Sequence, residues 1–408
     1  MPVDDPRRTV EAVARSSYGR LLAYLCAETR DVAGAEDALS DALVAALASW
    51  PKDGVPDQPE AWLLTAARHR LVDQVRRARV RGGHEDALRR LTVEPAASAA
   101  GGLEFPDRRA ELLFVCAHPA IEPALHAPLM LQTVLGLDAA RIAHAFLVSP
   151  ATMGQRLVRA KRKIRDAGIP FQVPQEHELS ERLDAVLEAV YAAFSLGRDE
   201  TGGADPRGRE LVDEAIWLAR VLRQRMKGEP EIRGLLSLML FCEARLAARR
   251  GEDGRYVPLS EQDPARWSAG EIREAEGELA SASLQGRVGR FQIEAAIQSV
   301  HAERARTGRT DWAAIVDFYE HLLRIAPTLG ARVAQAAAVA ELRGDEEGLA
   351  ILNALDRAAV AEYQPYWAVL AHLLRRSGRT PEAREAYDRA IGLAEDPAIR
   401  RFLIERRP

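Results

Sequence analysis

The sequence predicts an all-α protein, on three observations. Alanine is abundant while aromatic residues make up only 6% of the chain, a mix that favours helices packed through small side chains over sheets. Apolar residues recur at intervals of three and four through most of the length, the helical period. Proline and glycine cluster between those stretches, where helices must stop.

The chain has 408 residues, 47% of them apolar, enough for two to four domains with their own cores. No basic-then-apolar leader opens it, and the longest apolar run, Leu235 to Cys242, is too short to cross a bilayer. A cytoplasmic protein without membrane contact is therefore expected. Cys26, Cys116 and Cys242 are odd in number, widely spaced and not in CxxC pairs, which points to neither disulfides nor a metal. The formal net charge is −4, but the halves differ: up to Val173 there are 23 basic and 21 acidic residues, and after it 33 and 39. Nucleic-acid contacts are expected before Val173.

The first expected helices run from Thr9 to Glu28 and from Ala35 to Trp50. The segment Pro51 to Pro59, with three prolines and a glycine, is expected to be a connecting loop. AWLLTAARHRLVDQVRRARVR, Ala61 to Arg81, follows as a basic amphipathic helix with Leu63, Leu64, Ala67, Leu71 and Val75 on its apolar stripe and Arg68, Arg70, Arg76, Arg77 and Arg79 on the other face. Trp62 at its start reads equally as a core aromatic or as a platform for a nucleobase. Gly82 to Pro106 loses periodicity and reads as a linker.

GLDAARIAHAFLVSPATMGQRLVRAKRKIRDAG, Gly136 to Gly168, is the most informative stretch. Asp138 is placed to cap a short helix holding Ile142, Ala143 and Phe146. Ser149 and Pro150 read as the cap and first residue of a second helix ending near Arg165. Helix, tight turn and basic helix make a helix-turn-helix. Met153, Leu157, Ala160 and Ile164 would hold the second helix to its domain. Residues at the start of this helix are placed to reach base edges in a major groove and the later cations to neutralise phosphates, with Thr152, Gln155, Arg156, Arg159, Lys161 and Arg162 as the candidates and the division among the arginines open. A lone basic helix is commonly just a solvated surface; the cap chemistry and the earlier basic helix argue for DNA.

These segments together resemble sigma factors of the extracytoplasmic-function class, over roughly Thr9 to Gly168. AEDALSDALVAAL resembles the polymerase-binding helix of region 2, with Asp37 and Asp41 at its acidic positions. AWLLTAARHRLVDQVRRAR resembles the next helix, with Trp62, Arg68, Arg76 and Arg77 in register. LDAARIAHAFLVSPATMGQRLVRAKRKI resembles region 4, although Gly154 stands where most of the class has Lys or Arg. The match is closer to a group carrying FVCAHPAIEP and a long C-terminal extension with tetratricopeptide-like repeats, except that Ala117 follows Cys116 where a second cysteine is common. The resemblance implies region 2 over residues 1–81, binding core RNA polymerase through Asp37 and Asp41 and the minus-10 promoter strand through Trp62, Arg68, Arg76 and Arg77. It implies a linker at 82–106, region 4 over 107–173 on the minus-35 duplex, and a helical extension over 174–408.

In the extension, Gly344 and Gly378 stand 34 residues apart, and Trp367, Leu370, Ala371, Ala383, Tyr387 and Ala390 fall at the packing positions of a tetratricopeptide repeat. Tyr319 keeps the register two periods earlier, and Pro327 falls at a repeat end, while Asn353 breaks it. The pattern is clearest from 310. A stacked array offers a concave surface for a protein or small-molecule ligand; Asp263, Trp267, Trp312 and Trp367 read either as its lining or as packing residues. A polar loop is expected near Gly251 to Asp263. His118 beside Cys116 reads as packing rather than as a nucleophile pair, and His69 and His84 lack ligand spacing. No enzyme, cofactor or metal is expected. A one-component regulator, with a helix-turn-helix on an operator and a sensing repeat domain, is the competing reading, but it has no use for the region 2 segments.

Overall fold

A computed structural model describes residues 5–79, 106–146, 148–200 and 206–408. Among them are 19 α-helices and no strand, with one isolated bridge between Arg250 and Tyr256. The chain forms two compact units that divide between Leu196 and Gly197.

In the first unit, α1 (Pro6–Thr29) is capped by Asp5 and ends on Arg30 in the left-handed conformation, φ 58°. The Asp31 side chain caps α2 (Val32–Asp53) by accepting from the Gly34 amide at 3.2 Å. α2 runs about one turn further than its periodicity suggests, through Pro51 to Asp53, and stops at Gly54 with φ 88°. The expected break at Pro51 is thus a helical last turn. The amide that proline lacks would have bonded to the carbonyl of Leu47, an exposed residue where water can take its place. α3 (Pro59–Arg79) completes a three-helix core of Leu21, Leu22, Leu25, Leu39, Trp50, Leu63 and Ala67.

α4 (Arg109–Cys116) is buried along its whole length, and a turn at Pro123–Leu125 leads into α5 (His126–Thr133). α6 (Ala139–Ala145) and α7 (Pro150–Asp166) follow. α8 (Glu176–Glu200) buries Leu183, Val186, Leu187, Val190 and Phe194. The division between units falls inside α8, whereas the sequence pattern changes near residue 174. The expected linker at 82–106 lies outside the described residues, save Pro106.

The second unit begins with α9 (Pro206–Arg225), α10 (Pro230–Glu243) and α11 (Ala269–Ser283). Helix pairs follow: α12 (Arg290–Thr307) with α13 (Trp312–Ile325), then α14 (Leu329–Arg343) with α15 (Asp345–Asn353). After the short α16 (Arg357–Val360) come α17 (Gln364–Arg376) with α18 (Thr380–Leu393), and α19 (Pro397–Arg406). Each pair turns at a glycine with positive φ: Gly308 at 70°, Gly344 at 104° and Gly378 at 75°. A residue with a Cβ is strained there, so the glycine spacing legible in the sequence is the spacing of the turns.

Packing in this unit relies on close backbone approach and on side chains borrowed across helices. A Cβ on Gly234 would stand 2.7 Å from the Gln292 amide, so α10 and α12 cross at contact distance. Glu231 of α10 accepts from the amides of Phe291 at 2.9 Å and Gln292 at 3.1 Å, capping α12 where Gly289 has no side chain to do so. The polar loop is as expected irregular, and it is pinned: Arg250 pairs with Asp396, Arg406 with Glu261, and Tyr256 meets Phe402 edge-on at 5.3 Å.

Candidate nucleic-acid interface

α6 and α7 are built by local chemistry. Asp138 Oδ1 accepts from the amides of Ala140 at 2.9 Å and Arg141 at 2.8 Å. Ser149 Oγ accepts from the Thr152 amide at 3.2 Å, and Pro150 opens the helix where a missing amide costs nothing. Met153, Leu157, Ala160 and Ile164 are buried, as the period requires. The opposite face carries Thr152, Gln155, Arg156, Arg159, Arg162 and Lys163, all exposed. Among the described residues Arg156, Arg159, Arg162 and Lys163 have no carboxylate partner, so this face presents uncompensated positive charge. Thr152 Oγ1 lies 2.8 Å from Ser149 Oγ and so shares in the cap. A Cβ on Gly154 would meet nothing within 4 Å, which leaves a smooth gap in the middle of the face.

Lys161 departs from the expectation of a phosphate contact. It is 8% exposed, and its Nζ lies 2.5 Å from Glu36 Oε2 on α2. Burial pushes the Glu36 carboxyl up, and Lys161 opposes that shift. Its position on the seam between the stripe and the cationic face lets tertiary packing claim it.

On α2, Asp37 and Asp41 are exposed, as an acidic docking surface needs. The same stripe continues in Val44, 65% exposed, and Leu47, 45% exposed. Sequence reasoning had not singled out these two apolar residues. Their signal is positional: Val44 follows Asp37 by seven and Asp41 by three, which puts it on the outward face.

On α3, Trp62 packs edge-to-face on the buried Trp50, with ring centroids 5.5 Å apart. Arg68 faces inward, where it pairs with Glu28 at 3.2 Å, both side chains under one-fifth exposed. Glu60 accepts from Ser17 and Arg20 and ties the start of α3 to α1. Trp62 and Arg68 therefore have places in the bundle itself, and Arg68 does not stand on an open cationic face. The side chains of Arg76 and Arg77 lie outside the described residues.

The remaining candidates resolve into packing. Cys116 is fully buried, with Thr133 Oγ1 at 3.5 Å, and burial pushes its thiol up to about 12, unsuited to a nucleophile at neutral pH. His118 Nδ1 accepts from the Ala120 amide at 3.1 Å. Trp267 donates to Gln262 Oε1 at 3.2 Å and carries the Arg304 guanidinium 5.0 Å above its ring. Trp367 donates to the carbonyls of Val360 and Ala361. Asp263 caps a short turn through the Ala265 amide. Trp312 lines a groove, together with Val300, Glu303 and Arg309. Among the described residues no group of three His, Cys, Asp or Glu could hold a metal, and no helix is long and apolar enough to cross a membrane.

Residues 13–81, a span that takes in most of α1 and all of α2 and α3, match Sigma-70 region 2. The chain carries a sigma-70 region 2 domain. The match covers Asp37, Asp41, Trp62, Arg68, Arg76 and Arg77 and ends before α4. Residues 182–283, from the first turns of α8 to the end of α11, match a family of unknown function, DUF6596. An uncharacterized protein of Rhizobium meliloti (strain 1021) is 37% identical over 382 residues, covering 93% of this chain and 89% of its own length, so the two belong to one family. No solved structure matches the chain.

Proposed function

We propose that this chain is an extracytoplasmic-function type sigma factor that binds core RNA polymerase, directs initiation at a specific promoter and is controlled by its own C-terminal unit. The observation that carries this reading is the pairing of two surfaces in one chain: the acidic and apolar stripe on α2 within region 2, and the unpaired cationic face of the capped helix α7. The first is suited to a protein partner, since exposed apolar side chains ringed by charge favour docking. The second is suited to a major groove, with Gln155, Arg156 and Arg159 toward bases and Arg162 toward phosphates. In this reading α6 and α7 are the region 4 helix-turn-helix on the minus-35 element. α3 and the loop before it take the minus-10 strand.

In the same proposal the helix pairs from α12 onward form a tetratricopeptide-like array. Glycine turns about 34 residues apart support it. We place a protein or small-molecule ligand in the groove of about 870 Å³ beside Trp312. Its occupancy would set the availability of regions 2 and 4. The one-component regulator is the weaker reading, because it leaves region 2 without a role.

Purified full-length protein added to core polymerase should start transcripts from a defined promoter. Asp37→Arg with Asp41→Arg should abolish co-purification with core while leaving helical content unchanged. Normal co-purification of that double variant would refute the α2 assignment. A chain cut after Leu196 should differ from the full-length protein in promoter output; equal output under activating conditions would make the second unit an independent docking module.

A further inference from the structure

The end of α10 holds a buried cation that no acid balances. Arg245, just past that end, is 8% exposed. Its Nη2 donates to Gln298 Oε1 of α12, a neutral acceptor, and its buried Nη1 donates to nothing. Among the described residues it has no carboxylate partner, whereas a buried charge is ordinarily paired. Glu243, two residues earlier, is taken up by Arg209. A second guanidinium acts on it: Arg304 of α12 gives its donors to the carbonyls of Ser260 at 3.2 Å and Gln262 at 2.9 Å, again to neutral acceptors. Burial lowers the pKa of Arg245, the Cys242 sulfur opposes that shift by charge and as a hydrogen-bonding partner, and Arg198 and Arg304 deepen it. His301, whose pKa burial and then Arg245 and Arg304 lower to about 4, carries no proton at neutral pH and supplies no counter-charge.

Cys242 lies in the last turn of α10, beside this guanidinium. It is the partly exposed cysteine of the chain, while Cys26 and Cys116 are fully buried. A thiol reacts as its thiolate, and cations alongside promote that reaction and attract anionic reagents. Two separate features thus point to the same chemistry: an accessible sulfur, and a buried guanidinium nitrogen with nothing to bind. A small thiol compound joined to the sulfur would bring its carboxylates to the arginines and supply the missing acid. The two buried cysteines are not available to close an internal disulfide with Cys242, so an external thiol compound is the partner that fits.

We propose that Cys242 is a modification site for low-molecular-weight disulfides that carry carboxylates, with Arg245 and Arg304 as the residues that select them. In the exchange Cys242 gives its proton to solvent and its sulfur attacks one sulfur of the disulfide. A bond forms between them as the original sulfur–sulfur bond breaks, and the second half leaves with the electron pair as a thiolate, which takes up a proton. Cys242 is oxidised and the leaving half is reduced, so no further oxidant is needed. Excess reducing thiol reverses the step. The inference stands apart from the polymerase reading.

The charge of the reagent provides the test. The full-length chain would be treated in turn with glutathione disulfide, which is dianionic, hydroxyethyl disulfide, which is neutral, and cystamine, which is dicationic, with adducts located by peptide mass mapping. Dividing each rate at Cys242 by the rate at the same cysteine in the urea-unfolded chain removes the intrinsic reactivities of the three disulfides. The folded chain should carry its adduct on Cys242, with the normalised rate for the dianion about tenfold or more above that for the dication. Added salt should shrink this ratio. Arg304→Gln should bring the ratio toward unity and Arg304→Lys should keep most of it, a rescue that a purely structural role would not give. Arg245→Gln should act as Arg304→Gln does, and the two Arg304 variants decide the matter if it fails to fold. Equal normalised rates for the three disulfides, or a ratio that Arg304→Gln leaves unchanged, would overturn the proposal. So would modification of Cys26 or Cys116 with Cys242 untouched.

Discussion

Arginine is put to different uses in the two units, and the difference shows what makes a cationic surface functional. In α7 of the first unit Arg156, Arg159 and Arg162 stand exposed without carboxylate partners among the described residues. In the second unit arginines are at least as frequent, and many of them are spent on the fold. Arg223 and Arg233 clamp Glu278 at 2.7 and 2.6 Å, Arg220 holds Glu274 at 2.9 Å, and Arg376 bridges Glu341 and Asp345. A count of basic residues does not separate these cases. The location of the nearest acid does, because a paired guanidinium has little field left for a phosphate.

The largest effect is expected where the second unit's pairing is broken. Glu278→Ala leaves two arginines facing an 8% exposed position without a counter-charge and should lower stability by about 2–4 kcal/mol, measured by urea unfolding. A loss under about 1 kcal/mol would mean these pairs behave as solvated surface pairs, and the contrast between units would weaken. Affinity of α7 for DNA should not follow the stability loss.

A pH effect of similar size is expected at His301, which packs edge-on against Trp312 at 5.6 Å. Burial first, then Arg245 and Arg304, lowers its pKa to about 4. The native state therefore resists a proton that the unfolded chain accepts near 6.5. This contribution is complete above that value and is lost as pH falls toward 4, on the order of 2–3 kcal/mol. Unfolding at about pH 7 and about pH 5 should show the drop, and His301→Phe should flatten it. An identical pH dependence in the variant would assign the effect to other groups.

In the first unit the expected signature is reversed, with binding affected and stability spared. Arg156→Ala and Arg159→Ala should each weaken promoter binding by roughly 1–3 kcal/mol if the residue reads a base, or flatten the salt dependence by about one charge if it contacts phosphate. Melting should change by less than about 0.5 kcal/mol. A stability loss comparable to the binding loss would place these arginines with those of the second unit. The smallest effect belongs to Ser149→Ala, which removes the cap of α7 and should cost about 1 kcal/mol of folding stability with unchanged salt dependence.

What was legible in the sequence was local. The caps at Asp138 and Ser149, the first residue Pro150, the buried stripe of α7 and the glycine turns at Gly344 and Gly378 follow from short-range hydrogen bonding and backbone sterics. Those interactions lie within a few residues of each other, so the order of side chains determines them. Region 2 was legible for the same reason, as a run of motifs at set spacings in α2 and α3. Pro51 shows the limit of local reasoning, since a proline stops a helix only where its lost hydrogen bond cannot be replaced by water. Tertiary structure alone decided which charged groups remain free. Arg68 and Lys161 look like the cations beside them, but each meets an acid from a distant helix, Glu28 and Glu36. Gly19 lies in an ordinary helical stretch, and only the Val134 carbonyl, 1.8 Å from where its Cβ would stand, makes its missing Cβ necessary. In each case the deciding partner is remote in sequence, and the charge or space it supplies exists only once the helices have been brought together.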